Sequence, residues 1–134
     1  MTDLELMRLA TEARKASYSP YSGFKVGAAL LGKSGKVYTG CNVENAAYTP
    51  TNCAERTAFF KAVSEGEKEF TAIAIVGGKD ENPADFCAPC GICRQVMAEF
   101  CDGDFRILLG NVDNIRVHTL TELLPYSFGK SDVE

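Results

Sequence analysis

Two short stretches hold the residues whose types and spacing could do chemistry, Asn52-Cys53-Ala54-Glu55-Arg56 and Pro89-Cys90-Gly91-Ile92-Cys93. The first puts a soft metal ligand, an acid/base group and a fixed positive charge side by side, and the second adds two cysteines at the x2 spacing of zinc sites. Zinc takes four ligands, so Cys53, Cys90 and Cys93 with a water in the last position would form a catalytic centre. Glu55 would then shuttle protons. Several thiolates on one metal bring excess negative charge, which weakens the metal's power to acidify water. The guanidinium of Arg56 offsets that charge.

Other chemistries fit parts of the same pattern. Cys87-Ala88-Pro89-Cys90-Gly91-Ile92-Cys93 is a C-x2-C-x2-C run of the kind that holds iron-sulfur clusters, but Pro89 lies inside the run and Cys101 comes too late to complete it. Cys90-Gly91-Ile92-Cys93 also has the spacing of a redox pair, which leaves Cys53, Glu55 and Arg56 without a role. A zinc closed by four cysteines, or cysteines that simply fill a core while Glu55 partners an Asn52 cap, complete the set of alternatives. The lone His118, in an expected strand without a ligand-spaced neighbour, reads as a surface or core residue.

These stretches need elements to position them. Leu6, Leu9, Ala10 and Ala13 recur at helical spacing, so Leu4 to Ala16 reads as an amphipathic helix with Asp3 as N-cap and Arg14 on another face. Val26 to Leu31 suits a buried strand, and Lys36 to Asn42 its hairpin partner after the Gly32-Lys33-Ser34-Gly35 turn. Cys53 to Val63 reads as a helix with Ala58, Phe59 and Ala62 inward, followed by a strand from Phe70 to Val76. Gly77-Gly78-Lys79 reads as a turn opening a polar connection that runs to Ala88. Pro89 suits the first position of a helix running to about Phe100, with Val96, Met97 and Phe100 on its apolar side. Strands from Phe105 to Leu109 and Ile115 to Leu120 follow, and Thr119 to Glu122 has capping-box spacing. Both cysteine stretches thus open helices, where the dipole lowers thiol pKa. The element order predicts an α/β fold with helices on a mixed sheet.

A chain of 134 residues, 46% hydrophobic and 24% charged, suits one globular domain spanning 1–134. Its net charge of −4, without a Lys/Arg run, argues against a nucleic-acid partner. Met1-Thr2-Asp3-Leu4-Glu5 carries acids where an export signal carries bases, and no apolar run approaches the roughly 20 residues of a membrane span. The expectation is a cytoplasmic protein without a membrane partner, its six cysteines reduced.

The sequence resembles the homotetrameric cytidine deaminases along nearly its whole length. The likeness runs from Tyr21-Ser22-Gly23-Phe24 through Cys41-Asn42-Val43-Glu44-Asn45-Ala46 and Cys53-Ala54-Glu55-Arg56 to Pro89-Cys90-Gly91-Ile92-Cys93-Arg94-Gln95 and Leu123-Leu124-Pro125. The paired C-A-E and P-C-x-x-C motifs match the general signature of zinc deaminases in its all-Cys form. The resemblance implies a three-layer α/β/α sandwich around a five-stranded mixed sheet, one Zn2+ per subunit, and hydrolytic deamination of free cytidine and deoxycytidine in pyrimidine salvage. It further implies that Phe24 stacks on the pyrimidine, that Asn42 and Glu44 bind the ribose, and that the Ala54 backbone meets the base. Arg56 would compensate thiolate charge, held by Gln95, while Tyr48 and Phe128 would act at sites shared between subunits of a homotetramer. Lys25 departs from the Pro common in related sequences. Cys87 is expected not to bind the metal, since a fourth thiolate would close the water position. A blasticidin-S-type deaminase is the nearest rival, and Phe24, Asn42 and Arg56 favour cytidine.

Overall fold

Two-residue alternation builds a sheet that is buried on both faces. In the computed structural model, which describes residues 1–79, 83 and 86–134, Ala28, Leu30, Ile73, Ile75, Ile107 and Leu109 point to one side. Ala29, Ala72, Ala74, Val76 and Leu108 point to the other. A strand covered on both faces reads as a continuous apolar run, which is the pattern of the Val26-to-Leu31 and Phe70-to-Val76 stretches.

The elements follow the expected order: α1 (Asp3–Ala13) with a 3-10 turn (Arg14–Ala16), β1 (Phe24–Gly32), β2 (Val37–Cys41), α2 (Ala54–Ser64), β3 (Phe70–Lys79), α3 (Gly91–Phe100), β4 (Arg106–Asn111), β5 (Asn114–Thr119), α4 (Leu120–Leu123) and a last 3-10 turn (Lys130–Asp132). The five strands lie in the order β2-β1-β3-β4-β5, with β3 and β4 parallel and the other neighbours antiparallel. The sheet is therefore mixed, with α1 on one face and α2, α3 and α4 on the other.

Side-chain size sets the two layers. Under α1 the sheet presents the small Ala29, Ala72 and Ala74 beside Val76 and Leu108, and a Cβ at Gly27 would collide with the Ala10 carbonyl and the Arg14 backbone. On the opposite face, a Cβ at Gly40 would sit 2.5 Å from the Ala54 carbonyl oxygen, so that glycine lets the start of α2 close onto the hairpin. Further along, Phe59 of α2 packs edge-on to Phe70 at 5.1 Å and stacks on Phe100 of α3 at 6.2 Å. Such ring pairs are worth about 0.5–1.5 kcal/mol beyond their buried area. They tie α2 to α3, which keeps the two helices in register.

Several local expectations need correction. Thr2, not Asp3, caps α1: its hydroxyl accepts from the Glu5 amide at 3.1 Å and the Glu5 carboxylate accepts from the Thr2 amide at 3.2 Å. Only that register puts Glu at the third helical position. Pro89 precedes the cap instead of opening α3, because Cys90 occupies the cap position with extended backbone. Gly77-Gly78-Lys79 is strand and not turn, since β1 extends to Phe24 and offers Val26, Lys25 and Phe24 as its partners. The rest of the expected polar connection falls partly on residues 80–82, 84 and 85, outside the described residues.

Candidate metal centre and active site

The helices α2 and α3 both begin with a cysteine. Cys53 is the N-cap of α2 and makes no side-chain capping bond, while Cys90 caps α3 with its sulfur accepting from the Cys93 amide at 3.5 Å. A C-x-x-C turn at a helix start brings its two sulfurs together, here to 3.5 Å, and Cys53 Sγ lies 3.9 Å from Cys90 Sγ. All three sulfurs lie within 4.8 Å of one another. Tetrahedral zinc with bonds of about 2.3 Å asks for sulfurs about 3.8 Å apart, so the donor set and its spacing fit that ion.

The charges around the cluster fit it too. Arg56 Nη2 donates to Cys53 Sγ at 3.2 Å. The Cys53 thiol is held down to about 5, chiefly by the hydrogen bond from Cys93 and further by Arg56, while the Cys93 thiol is pushed up by that same bond and by burial. One thiolate forms readily and the next resists, a charge problem that a divalent cation would resolve. Among the described residues, Arg56 Nε is the buried side-chain nitrogen or oxygen without a hydrogen-bond partner.

Glu55, in the first turn of α2, is only 5% exposed. Burial pushes its carboxyl up to about 7, with the neighbouring Cys53 charge adding to the rise. A carboxyl poised near neutrality beside that sulfur cluster can both accept and return a proton.

Cys87 stands apart from the three cysteines. Its thiol is pushed up to about 11 by burial, reinforced by the charges of Glu55 and Cys53, and it is not part of the sulfur cluster. Cys101 is likewise pushed up to about 12 by burial.

Among the residues expected to meet a substrate, Asn42, Glu44 and Tyr48 lie around the start of β1. Asn42 is 9% exposed; its Oδ1 accepts from Ser17 Oγ at 2.5 Å and the Val26 amide at 2.9 Å, and its Nδ2 donates to the Phe24 carbonyl at 2.8 Å. Glu44 accepts from the Tyr21 and Ser22 amides and from Ser22 Oγ, bonds that hold its carboxyl below the usual range. Tyr48, with φ of 63°, stands edge-on to Tyr21 at 6.5 Å and lines a cavity of about 290 Å³ with Tyr21, Ser22, Glu44, Asn45 and Thr51. Ala54 is fully buried where α2 meets the hairpin.

One expected partnership takes another form. Gln95 does not hydrogen-bond Arg56; it lies on the exposed side of α3 and donates to the Phe128 carbonyl at 2.7 Å. Phe128 is thus anchored by its own chain through its backbone, with its side chain outward at 63% exposure. Arg94 donates to the Pro89 and Leu123 carbonyls, fixing the turn that carries Cys90.

Arg14 and Ser17 are the residues that sequence reasoning missed. Arg14 is buried, donating from Nε to the Lys25 carbonyl and from Nη2 to the Gly78 carbonyl, both at 2.8 Å. Its signal was its spacing, since it continues the Met7 and Ala10 stripe that packs on the sheet.

A fold of this kind, with three sulfurs and a buried carboxyl at two helix starts, has a counterpart among known proteins. The family model for the cytidine and deoxycytidylate deaminase zinc-binding region matches residues 1–109, and the chain belongs to that family of zinc-binding deaminases. Within it, the chain is 51% identical over 130 residues to the cytidine deaminase of Sporosarcina psychrophila, covering 96% of this chain and 93% of that one. A crystal structure of cytidine deaminase from Burkholderia pseudomallei superposes with a TM-score of 0.88 at 48% identity, covering 96% of this chain and all of that one. A blasticidin-S deaminase from Bacillus cereus is also similar, at 30% identity over 133 residues, with 96% of this chain and 94% of that one covered.

Proposed function

We propose that the chain is a zinc-dependent cytidine deaminase that converts free cytidine and deoxycytidine to uridine and deoxyuridine with release of ammonia, serving pyrimidine salvage in the cytoplasm. The observation that carries this reading is the convergence of Cys53, Cys90 and Cys93 within 4.8 Å beside the buried Glu55. Held by those sulfurs, one Zn2+ per subunit would supply the Lewis acidity that makes water nucleophilic near neutral pH.

The chain's own groups do the rest. Glu55 takes a proton from the attacking water and gives it to N3 of the base as oxygen adds at C4; it then takes the proton of the new C4 hydroxyl and gives it to the amine, which leaves as ammonia while the C4 carbonyl forms. Each transfer returns the carboxyl to the state needed for the next. Arg56 limits the negative charge on the sulfurs through its bond to Cys53. Phe24 offers a ring for the pyrimidine, and the Ala54 backbone meets the base.

Asn42 and Glu44 complement one another at the sugar. With Oδ1 already taking two bonds, Asn42 has only an N–H to offer. Glu44 Oε2 accepts from Ser22 Oγ and keeps room for another donor. A single hydroxyl can accept from the first and donate to the second, whereas a phosphate would meet an anionic Glu44. This supports a nucleoside substrate over a nucleotide.

The assembly would be a homotetramer whose sites are shared between subunits. Supporting this are Phe128, and Tyr48 at 74% exposure, both apolar groups that a second copy could cover. No helix among the described residues is long and apolar enough to cross a membrane.

Purified zinc-loaded protein mixed separately with cytidine, deoxycytidine and blasticidin S tests the reading by ultraviolet absorbance. Turnover of both nucleosides with slow or no change in blasticidin S is expected; turnover of blasticidin S alone would assign the rival activity.

A further inference from the structure

Gly77 lies buried within β3, opposite Val26 of β1, and its φ is outside the left-handed region. Its backbone therefore places no demand for glycine, and a glycine inside a strand forfeits both packing and order. What it provides is room. A Cβ at this position would lie 2.5 Å from Cys87 Sγ, 2.9 Å from Cys87 Cβ and 3.0 Å from Phe24 Cε1. The Cys87 side chain and the edge of the Phe24 ring thus close over the same point on the sheet.

The backbone around that ring is pinned from other directions. Asn42 holds the Phe24 carbonyl, and Arg14 bridges the carbonyls of Lys25 and Gly78, which face each other across β1 and β3. With its main chain fixed, the ring has its Cε1 edge over Gly77, at the point where the Cys87 side chain also closes. Cys87 also lies near enough to Glu55 for that carboxyl's charge to raise its thiol further.

We infer that Gly77 is a positioning residue for substrate binding: by having no side chain it lets the Phe24 ring and the Cys87 side chain close over one point of the sheet, and this sets the plane on which the pyrimidine stacks. The inference rests on the reading of Phe24 as the ring that meets the base. Gly77 and Cys87 are positioning residues that act through Phe24, without touching the reacting atoms.

The test compares zinc-loaded wild type, Gly77→Ala, Gly77→Ala with Cys87→Gly, Cys87→Ala and Phe24→Leu. Binding of uridine, the proposed product, is measured by calorimetry, together with zinc content and the KM and kcat for cytidine. For Gly77→Ala, zinc content should hold and kcat stay within about threefold, while the uridine Kd and the cytidine KM rise about tenfold, as overpacking of a seated ring requires. Removing Cys87 Sγ and Cβ in the same chain should restore binding to within about threefold of wild type, the coupling expected of groups in contact.

Unchanged uridine binding in Gly77→Ala, or weak binding that Cys87→Gly does not repair, overturns the inference. Should Gly77→Ala not fold, Cys87→Ala decides: loosening the ring's seat should weaken uridine binding by about threefold at constant zinc content, and wild-type binding would overturn the proposal. Phe24→Leu separates the two levels. If it leaves uridine binding unchanged, the base-stacking reading itself fails; if it weakens binding while Gly77→Ala does not, only the role of Gly77 fails.

Discussion

The helix starts of this protein fall into two kinds. Helices α1 and α4 begin with Thr2 and Thr119, each in a reciprocal capping box with a glutamate three residues on. Helices α2 and α3 begin with Cys53 and Cys90, where the Cys53 side chain caps nothing and the Cys90 sulfur takes only a 3.5 Å contact from the Cys93 amide. Threonine at a helix start satisfies amides that would otherwise lack a partner, and sulfur does so poorly. The threonine-capped starts are locally self-sufficient. The cysteine-capped ones direct their dipoles at sulfur, and they are also where a carboxyl is buried with its pKa near neutral and where Arg56 Nε lacks a partner. Local rules are kept where the chain only has to fold and broken where it has chemistry to do.

Exchanging the cap residues should invert that division. Cys53→Ser is expected to abolish zinc retention and deamination, while the metal-free protein keeps its stability or gains up to about 1 kcal/mol from the better cap. Metal analysis and thermal melts of the metal-free proteins check both halves. Next in size, Glu55→Gln should lower turnover by at least about a hundredfold with zinc content unchanged, measured by steady-state kinetics. Thr119→Ala, at a threonine-capped start, should lose about 1 kcal/mol in denaturant unfolding and leave kcat as it was.

The smallest effect belongs to the start of α1. Arg106 pairs with Asp3 at 2.7 Å and holds its carboxyl below the usual 3.8. A depressed carboxyl stabilises the fold above its unfolded value, and that contribution is lost as pH falls below about 3.8 toward the folded value. Asp3→Asn should therefore lower stability at neutral pH by less than about 1 kcal/mol, because the pair is partly exposed. The gap between variant and wild type should close in melts taken below that pH.

How much of this was readable beforehand depended on how local each signal is. The order of helices and strands followed from period and punctuation. The sulfur cluster followed from two motifs whose residue types have few other uses together, although spacing alone does not bring Cys53 to Cys90, 37 positions away. The fold does that, through Gly40 beneath α2 and the Phe59, Phe70 and Phe100 rings that tie α2 to α3. What escaped were features set by tertiary partners. Gly77-Gly78-Lys79 has the composition of a turn, but the extended β1 gives it a strand's partners. Arg14 looked like a surface cation because charge usually marks the wet face, yet its spacing from Met7 and Ala10 put it on the buried one. Gln95 lies close in sequence to Cys93 but points to the C-terminal segment, a direction that no motif encodes.

X-ray absorption at the zinc edge of the loaded protein tests the central claim most directly, because it counts the atoms around the metal. One zinc per chain is expected, with three sulfurs at about 2.3 Å and one lighter oxygen donor. Four sulfurs, or a fourth donor supplied by the protein, would leave no place for the attacking water and would contradict that claim.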